Sequence, residues 1–237
     1  MKSPKVLLVI PAYNEEKSIK KTVDSILAAK YDYVIINDGS TDNTPKIIEE
    51  NHYNHIDLLD NLGIGGAVQT GYKYAEAHDY DIAIQFDADG QHDVNYLEAL
   101  IEPIVNKQAD LVIGSCFVDK SQKNQRSSKI RRFGIRFLSG TIKFFSGKRI
   151  YDPTSGFRAI NKKIIRLFAE DYPSEYPEPI SNYELIKSHH YKVKEVPVKM
   201  NKRAEGRSSI HSWKSVYAAV SVFFSILILS FGRSKYD

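Results

Sequence analysis

Five short, largely apolar runs recur along the first half of this chain: KVLLVI (5–10), YVIIN (33–37), IDLL (56–59), DIAIQF (81–86) and DLVIG (110–114). Runs of this length without polar alternation are strands covered on both faces. Helical periodicity fills the intervals. Between Glu15 and Ala29, residues Ile19, Val23, Ile26 and Leu27 share one face. Pro45 stands at the first position of a second helix, with Thr44 as its N-cap. Further helices are expected from Gly65 to His78 and from Val94 to Asn106. Strands alternating with helices predict an α/β fold, a mostly parallel central sheet flanked by helices. At 237 residues, 42% of them apolar and 26% charged, the chain makes one large domain or one with additions.

After Gly114 the rhythm changes. Every charged side chain from Lys120 to Arg149 is basic, Arg131 and Arg132 among them, and Ile130, Phe133, Phe137, Leu138, Phe144 and Phe145 are interleaved at helical spacing. A solvated helix face, a nucleic-acid contact and an amphipathic helix lying on anionic lipid are the three readings. The last fits best, because no nucleic-acid-binding module accompanies the basic residues. A second apolar run, VYAAVSVFFSILILSF (216–231), is flanked by Lys214 and Arg233. As a helix it spans about 24 Å, short of a hydrocarbon core of about 30 Å, so an interfacial or oligomer-forming helix is expected, with a buried core helix as the alternative. One cysteine, Cys116, excludes an internal disulfide and a cysteine-rich zinc site. The first apolar run is too short for an export leader and is followed by Pro11, Glu15 and Glu16, so a cytoplasmic location is expected.

In a parallel α/β sheet, ligands bind outside the carboxyl ends of the strands. Four of those ends carry amides, acids and glycines: Ala12–Glu15, Asn37–Ser40, Asp60–Gly63 and Asp87–Asp89. Asp93 reads as a helix cap, and Asp42 or Thr44 serves the second helix. Asp87 and Asp89 lie too far from a helix start to cap it. Two carboxylates on one side of a strand end repel each other unless a cation joins them, and hard oxygen donors suit Mg²⁺ or Mn²⁺ shared with a substrate phosphate. His92 has no second His or Cys nearby, which favours a supporting role over zinc ligation. GIGGAV (63–68) fails as a dinucleotide fingerprint because Val68 replaces the third glycine, and neither a P-loop nor a G-x-S-x-G elbow occurs.

PAYNEE, NDGSTDNT, NLGIGGAVQTG, DADGQH, TSGFRAI and RAEGRSS occur here in the order and spacing of the family 2 glycosyltransferases. Over residues 5 to 210 the chain resembles bacterial cell-wall polysaccharide glycosyltransferases and polyprenyl- or dolichyl-phosphate sugar transferases. The resemblance implies the GT-A (nucleotide-diphospho-sugar transferase) fold and an inverting, metal-dependent transfer from a nucleotide sugar, by family habit a UDP-linked one. It implies that Pro11, Tyr13 and Glu15 hold base and ribose, that Asp38 binds the base side, and that Gly65 and Ala88 line the nucleotide sugar. Asp87 and Asp89 would be the metal-binding Asp-x-Asp pair, with Gln91 as an extra ligand, and Asp89 would belong to the catalytic set. Arg203 and Ser208 would meet phosphate near the reaction centre, and Arg131 and Arg132 the acceptor. Two departures stand out: Ile64 where many relatives have a lysine, and Cys116 where many have an arginine that contacts the acceptor phosphate.

Displacement at an anomeric carbon passes through an oxocarbenium-like state. A lipid phosphate is already largely ionised near neutrality and needs no base. A sugar hydroxyl does, and Glu178 is the candidate for that role, with Glu184 second or simply an exposed helix position. The expected organisation is a catalytic domain over 1–210, carrying the basic insert at 120–149, and a C-terminal apolar helix over 211–237 that is membrane-interfacial or oligomerising. The expected acceptor is polyprenyl phosphate for cell-envelope glycan synthesis, with a saccharide hydroxyl of a lipid-linked polysaccharide as alternative, at the inner face of the cell membrane. Expected partners are thus a nucleotide sugar, a lipid-linked acceptor and the membrane surface, with a homo-oligomer or separate membrane protein as additions and no nucleic acid. A nucleotidyltransferase would carry a glycine- and lysine-rich loop where PAYNEE stands. A non-catalytic membrane-binding module would have no use for Asp87 and Asp89.

Overall fold

The computed structural model describes residues 3–118, 129–201 and 212–236, and for 129–131 and 212–216 the backbone only. Strand β1 (Val6–Ala12) lies inside the sheet, parallel to β2 (Asp32–Asn37) on one side and β4 (Ile82–Gln85) on the other. β3 (His55–Asp57) extends the sheet beyond β2. Beyond β4 come β6 (Arg158–Asn161), β5 (Leu111–Ser115) and β7 (Val193–Pro197), giving the order β3-β2-β1-β4-β6-β5-β7. The sheet is mostly parallel, as the alternation predicts. β6 departs from it by running antiparallel to both β4 and β5.

Each central strand is buried on both faces, which is what its unbroken apolar run demands. Leu7, Val9, Val34 and Ile36 point into one core, whereas Leu8, Ile10, Ile35, Ile82 and Ile84 point into the other. Burying one such side chain stabilises the fold by about 1.5–3 kcal/mol. Helices α1 (Ile19–Ala28), α2 (Thr44–Glu50) and α4 (Leu97–Val105) bear core residues of the second layer. Helices α3 (Gly63–Ala77), α6 (Lys162–Glu170) and α7 (Pro177–Lys187) cover the first. On α1, Ile19, Val23 and Ile26 are buried as expected, while Leu27 is half exposed.

Thr44 is the first helical residue of α2 rather than its cap. Its Oγ1 accepts from the Glu15 N–H at 2.9 Å, and Asp42 Oδ1 takes the Thr44 N–H at 2.9 Å instead. Asp93 does cap a helical segment, a 3₁₀ turn over Val94–Tyr96 that leads into α4, by accepting from the Asn95 N–H at 2.9 Å.

Helix α5 (Lys129–Ser146) packs along α8 (Ser212–Ser230), with the Phe137 and Phe223 rings 5.7 Å apart. The apolar residues of α5 divide between two faces. Ile135, Leu138 and Ile142 are buried, whereas Phe133 and Phe144 are 73% and 81% exposed. Tyr217, Phe224 and Ile228 form a similar exposed row on α8. No helix among the described residues is long and apolar enough to cross a membrane. The chain then turns back. Tyr236 is buried, and Ser234 Oγ and the Lys235 N–H donate to Glu184 Oε2 at 3.0 and 2.8 Å. Glu184 is therefore not an exposed helix position: it is fully buried and anchors this segment.

Candidate active site

The loops after β1 and β2 are stitched together by their own side chains. Asn14, held at a positive φ of 55°, accepts at Oδ1 from the N–H groups of Thr41 and Asp42 at 2.8 and 3.3 Å, and donates its own N–H to Ser40 Oγ at 3.0 Å. Pro11 and Ala12 close the buried strand and Tyr13 stands half exposed at its end. Glu15 accepts from Ser18 Oγ at 2.7 Å. Asp38 is buried and accepts from the Leu62 N–H at 2.7 Å, which ties the β2 end to the start of α3. Burial raises the Asp38 carboxyl above its usual range, against the pull of the Leu62 and Gly63 N–H groups. Gly65 is buried on α3, where a Cβ would come within 2.4 Å of the Pro173 and Ser174 carbonyl oxygens, so the helix can lie against that loop only with glycine there.

Asp87 and Asp89 follow the carboxyl end of β4. Phe86 still bonds into the sheet through Val9 O at 2.9 Å, and the buried Ala88 accepts from Thr22 Oγ1 at 3.0 Å, which fixes the backbone between the two acids. Asp89 Oδ1 accepts from the Gln91 N–H at 2.9 Å, and Gln91 O accepts from Asn201 N–H at 2.8 Å. His92 is buried, stacked on Phe157 at 4.5 Å. Its Nδ1 accepts the Asp87 N–H at 2.9 Å, so the ring proton of the neutral imidazole is on Nε2, 3.6 Å from Asp87 Oδ2. Burial pushes its pKa down to about 4 against the Asp89 charge. His92 thus braces Asp87 as a neutral ring, the supporting role its sequence context favours.

Among the described residues, no group of three or more His, Cys, Asp or Glu is placed to hold a metal ion. The donor set at the strand end is two hard carboxylates, which matches a cation that completes its shell with phosphate and water. Space beside one of them is reserved by the backbone: a Cβ on Gly156 would lie 3.1 and 3.3 Å from the Asp87 oxygens and 2.7 Å from Gln85 Nε2.

Gln85 links the predicted acid to this pair. Its Nε2 donates to Asp87 Oδ1 at 3.2 Å and to Glu178 Oε1 at 3.5 Å. Glu178 lies in the first turn of α7, after Tyr176 at a positive φ of 47° and Pro177. Burial raises its carboxyl pKa, Arg158 opposes that shift and Asp87 adds to it. Sequence reasoning placed Asn14 on the rim without a role and passed over Gln85 and Arg158. For Gln85 the available signal was a polar residue inside the otherwise apolar run DIAIQF; Arg158 offered none. Arg132 is half-buried on α5. Arg203, Ser208 and the Arg131 side chain lie outside the described residues.

A sequence model described as glycosyl transferase family 2 matches residues 7–168. The UDP-N-acetylglucosamine–dolichyl-phosphate N-acetylglucosaminyltransferase of Methanococcus voltae is 32% identical, over 96% of this chain and 97% of its own. The dolichol-phosphate mannosyltransferase of Pyrococcus furiosus is 31% identical, over 87% of this chain and 59% of that one. Among solved structures, glucosyl-3-phosphoglycerate synthase from Mycobacterium tuberculosis, in complex with Mn²⁺, UDP and glucosyl-3-phosphoglycerate, has a TM-score of 0.68. It is 18% identical and the match covers 97% of this chain and 81% of that one, a likeness that carries the fold. With its Asp-x-Asp pair at the carboxyl end of β4 and a GT-A sheet around it, the chain belongs to glycosyl transferase family 2 and is a glycosyltransferase.

Proposed function

We propose that this enzyme moves a sugar from a UDP-linked donor to a polyprenyl phosphate, with inversion and with Mg²⁺ or Mn²⁺, for synthesis of a cell-envelope glycan. The observation that carries the acceptor is end-to-end similarity to a relative whose name contains dolichyl phosphate, 32% identical over 97% of that protein. The strand-end rim supports the donor half. Pro11, Tyr13 and Glu15 would hold base and ribose, Asp38 the base side, and Gly65 and Ala88 would line the nucleotide sugar.

Asp87 and Asp89, with Gln91 as a third ligand, would hold the divalent metal, which when bound neutralises charge growing on the departing diphosphate. The acceptor phosphate attacks in its ionised form and needs no general base. Arg131, Arg132, Arg203 and Ser208 are the groups proposed to meet phosphate. Glu178 would act as a base only toward a saccharide hydroxyl.

The exposed aromatic row of α5 (Phe133, Phe137 and Phe144), with Arg136 and Lys143 exposed beside it, supports a peripheral seat on an anionic membrane surface at its cytoplasmic face. In this reading residues 1–210 form the catalytic unit, and α8, within the C-terminal segment 211–237, joins α5 at the interface.

The test is transfer from a panel of nucleotide sugars by the purified chain. It is run with Mn²⁺, Mg²⁺ or a chelator, and with polyprenyl phosphate or oligosaccharide acceptors. Chelator-sensitive glycosylation of polyprenyl phosphate is expected. Transfer to oligosaccharide alone, lost in Glu178→Ala, would replace the acceptor reading with the saccharide one. Turnover indifferent to chelator would remove the metal from the scheme.

A further inference from the structure

Under the Asp-x-Asp pair lies a polar cluster built from three elements. Gln85 ends β4 and Arg158 begins β6. The two are partners across the antiparallel ladder, 1% and 0% exposed, so their side chains leave the sheet on one face. Asp87 is two residues past Gln85, and Glu178 comes from α7 above that face.

Gln85 shares one amide group between two carboxylates. Its Nε2 reaches both, while its Oε1 is buried with no hydrogen-bond partner. Turning the amide over would aim Oε1 at two acids, so Asp87 and Glu178 together fix its orientation. The Gly156 backbone closes the space beside the amide.

Arg158 gives its Nη donors to Ser181 Oγ at 3.0 Å, Asn182 Oδ1 at 3.5 Å and the Tyr172 hydroxyl. Those partners are neutral. Glu178, bonded to Arg158's ladder partner Gln85, brings a carboxylate to the same face of the sheet, and its charge favours the guanidinium there. A buried cation stripped of its acid is strongly destabilising.

We propose that Glu178 and Gln85 are positioning residues that hold Asp87 from beneath, with Arg158 as the buried charge that Glu178 answers, and that Glu178 does not meet the acceptor. Glu178 acts through the Gln85 amide on a metal-binding carboxylate. The proposal rests on the metal-dependent donor reading above and explains why a lipid-phosphate enzyme, which needs no base, would keep this acid.

The experiment compares the full-length wild type with Gln85→Met, Glu178→Gln, Arg158→Met and the Glu178→Gln/Arg158→Met double variant. It reads UDP binding by calorimetry with and without Mn²⁺, and the thermal midpoint. Gln85→Met and Glu178→Gln should weaken UDP binding in Mn²⁺ by about 10–100-fold, as loss of a residue that orients a metal ligand typically does, and leave metal-free binding unchanged. Glu178→Gln should lower the midpoint by about 10 °C, and the double variant should regain most of that loss.

The proposal is overturned if Glu178→Gln binds Mn²⁺–UDP and melts like wild type yet loses transfer together with the acid limb of its kcat–pH profile. That would make Glu178 the base. Normal Mn²⁺–UDP binding by Gln85→Met overturns it too, and that variant removes no charge, so it decides the matter even if Glu178→Gln fails to fold. Wild type without metal-dependent UDP binding would sink the donor reading instead. The pairing of Glu178 with the buried Arg158 would then stand or fall on the thermal cycle, additive losses refuting it.

Discussion

His92 should make the metal-free protein lose stability on mild acidification. Its imidazole is buried between Phe86 and Phe157 and takes the Asp87 N–H on Nδ1, so protonation must break that bond as well as charge a dry site. The folded pKa is about 4 against an ordinary 6.5. A pKa lower in the folded than in the unfolded chain means the unfolded chain binds the extra proton between those values. The contribution is therefore complete above pH 6.5 and lost as pH falls through 6.5 toward 4. At 1.36 kcal/mol for each pH unit between the two values, the loss is about 3 kcal/mol.

Asp38, Glu178 and Glu195 have raised pKa values and act in the opposite sense as they protonate, so wild type alone does not isolate the histidine. The measurement is urea unfolding of wild type and His92→Leu in chelator at pH 7, 6, 5 and 4.5. At pH 7 the variant should be less stable by about 1–3 kcal/mol, because the Asp87 N–H loses its acceptor. The gap should shrink steadily and close or reverse near pH 4.5. A gap constant across that range, with unchanged m-values, would refute the reasoning.

Asp89→Asn should abolish transfer while binding to anionic vesicles survives; retained transfer would remove Asp89 from the catalytic set. Gly156→Ala puts a methyl 2.7 Å from the Gln85 amide nitrogen and 3.1 Å from Asp87, so turnover should fall and stability drop by about 1–3 kcal/mol, read by transfer assay and calorimetry. Ser234→Ala removes a buried donor to Glu184 and should cost about 1 kcal/mol, a Tm fall of about 2–4 °C, without changing nucleotide affinity. Phe133→Glu and Phe144→Glu together should reduce co-sedimentation with anionic vesicles and leave UDP binding intact; unchanged sedimentation would take α5 off the membrane.

The parts of this fold that were legible in advance are local ones. Leu7 to Ile10 announce a strand buried on both faces because four adjacent apolar residues have no other economical use, and the acids past Phe86 announce a rim because they interrupt such a run. What escaped depends on segments far apart in the chain. Arg158 begins a strand of only four residues, and nothing in TSGFRAI says that it runs antiparallel beside β4 and lands on Gln85. Glu184 looks like a surface acid in SNYELIK until residues 50 positions later fold back onto it. Thr44 has the chemistry of a cap, and its hydroxyl is used instead across the rim by Glu15, a contact set by how the first two loops meet.

That meeting of loops has a thermodynamic consequence. Freezing one backbone residue costs about 1–2 kcal/mol, and a ligand that must order a floppy loop gives up that much of its contact energy for each residue it immobilises. Here Asn14 and Thr44 bind the two loops to each other through the protein's own groups, so that part of the loss is met in folding. On the proposed reading, a nucleotide entering this rim would not have to order these two loops, and their ordering cost would not be drawn from its affinity.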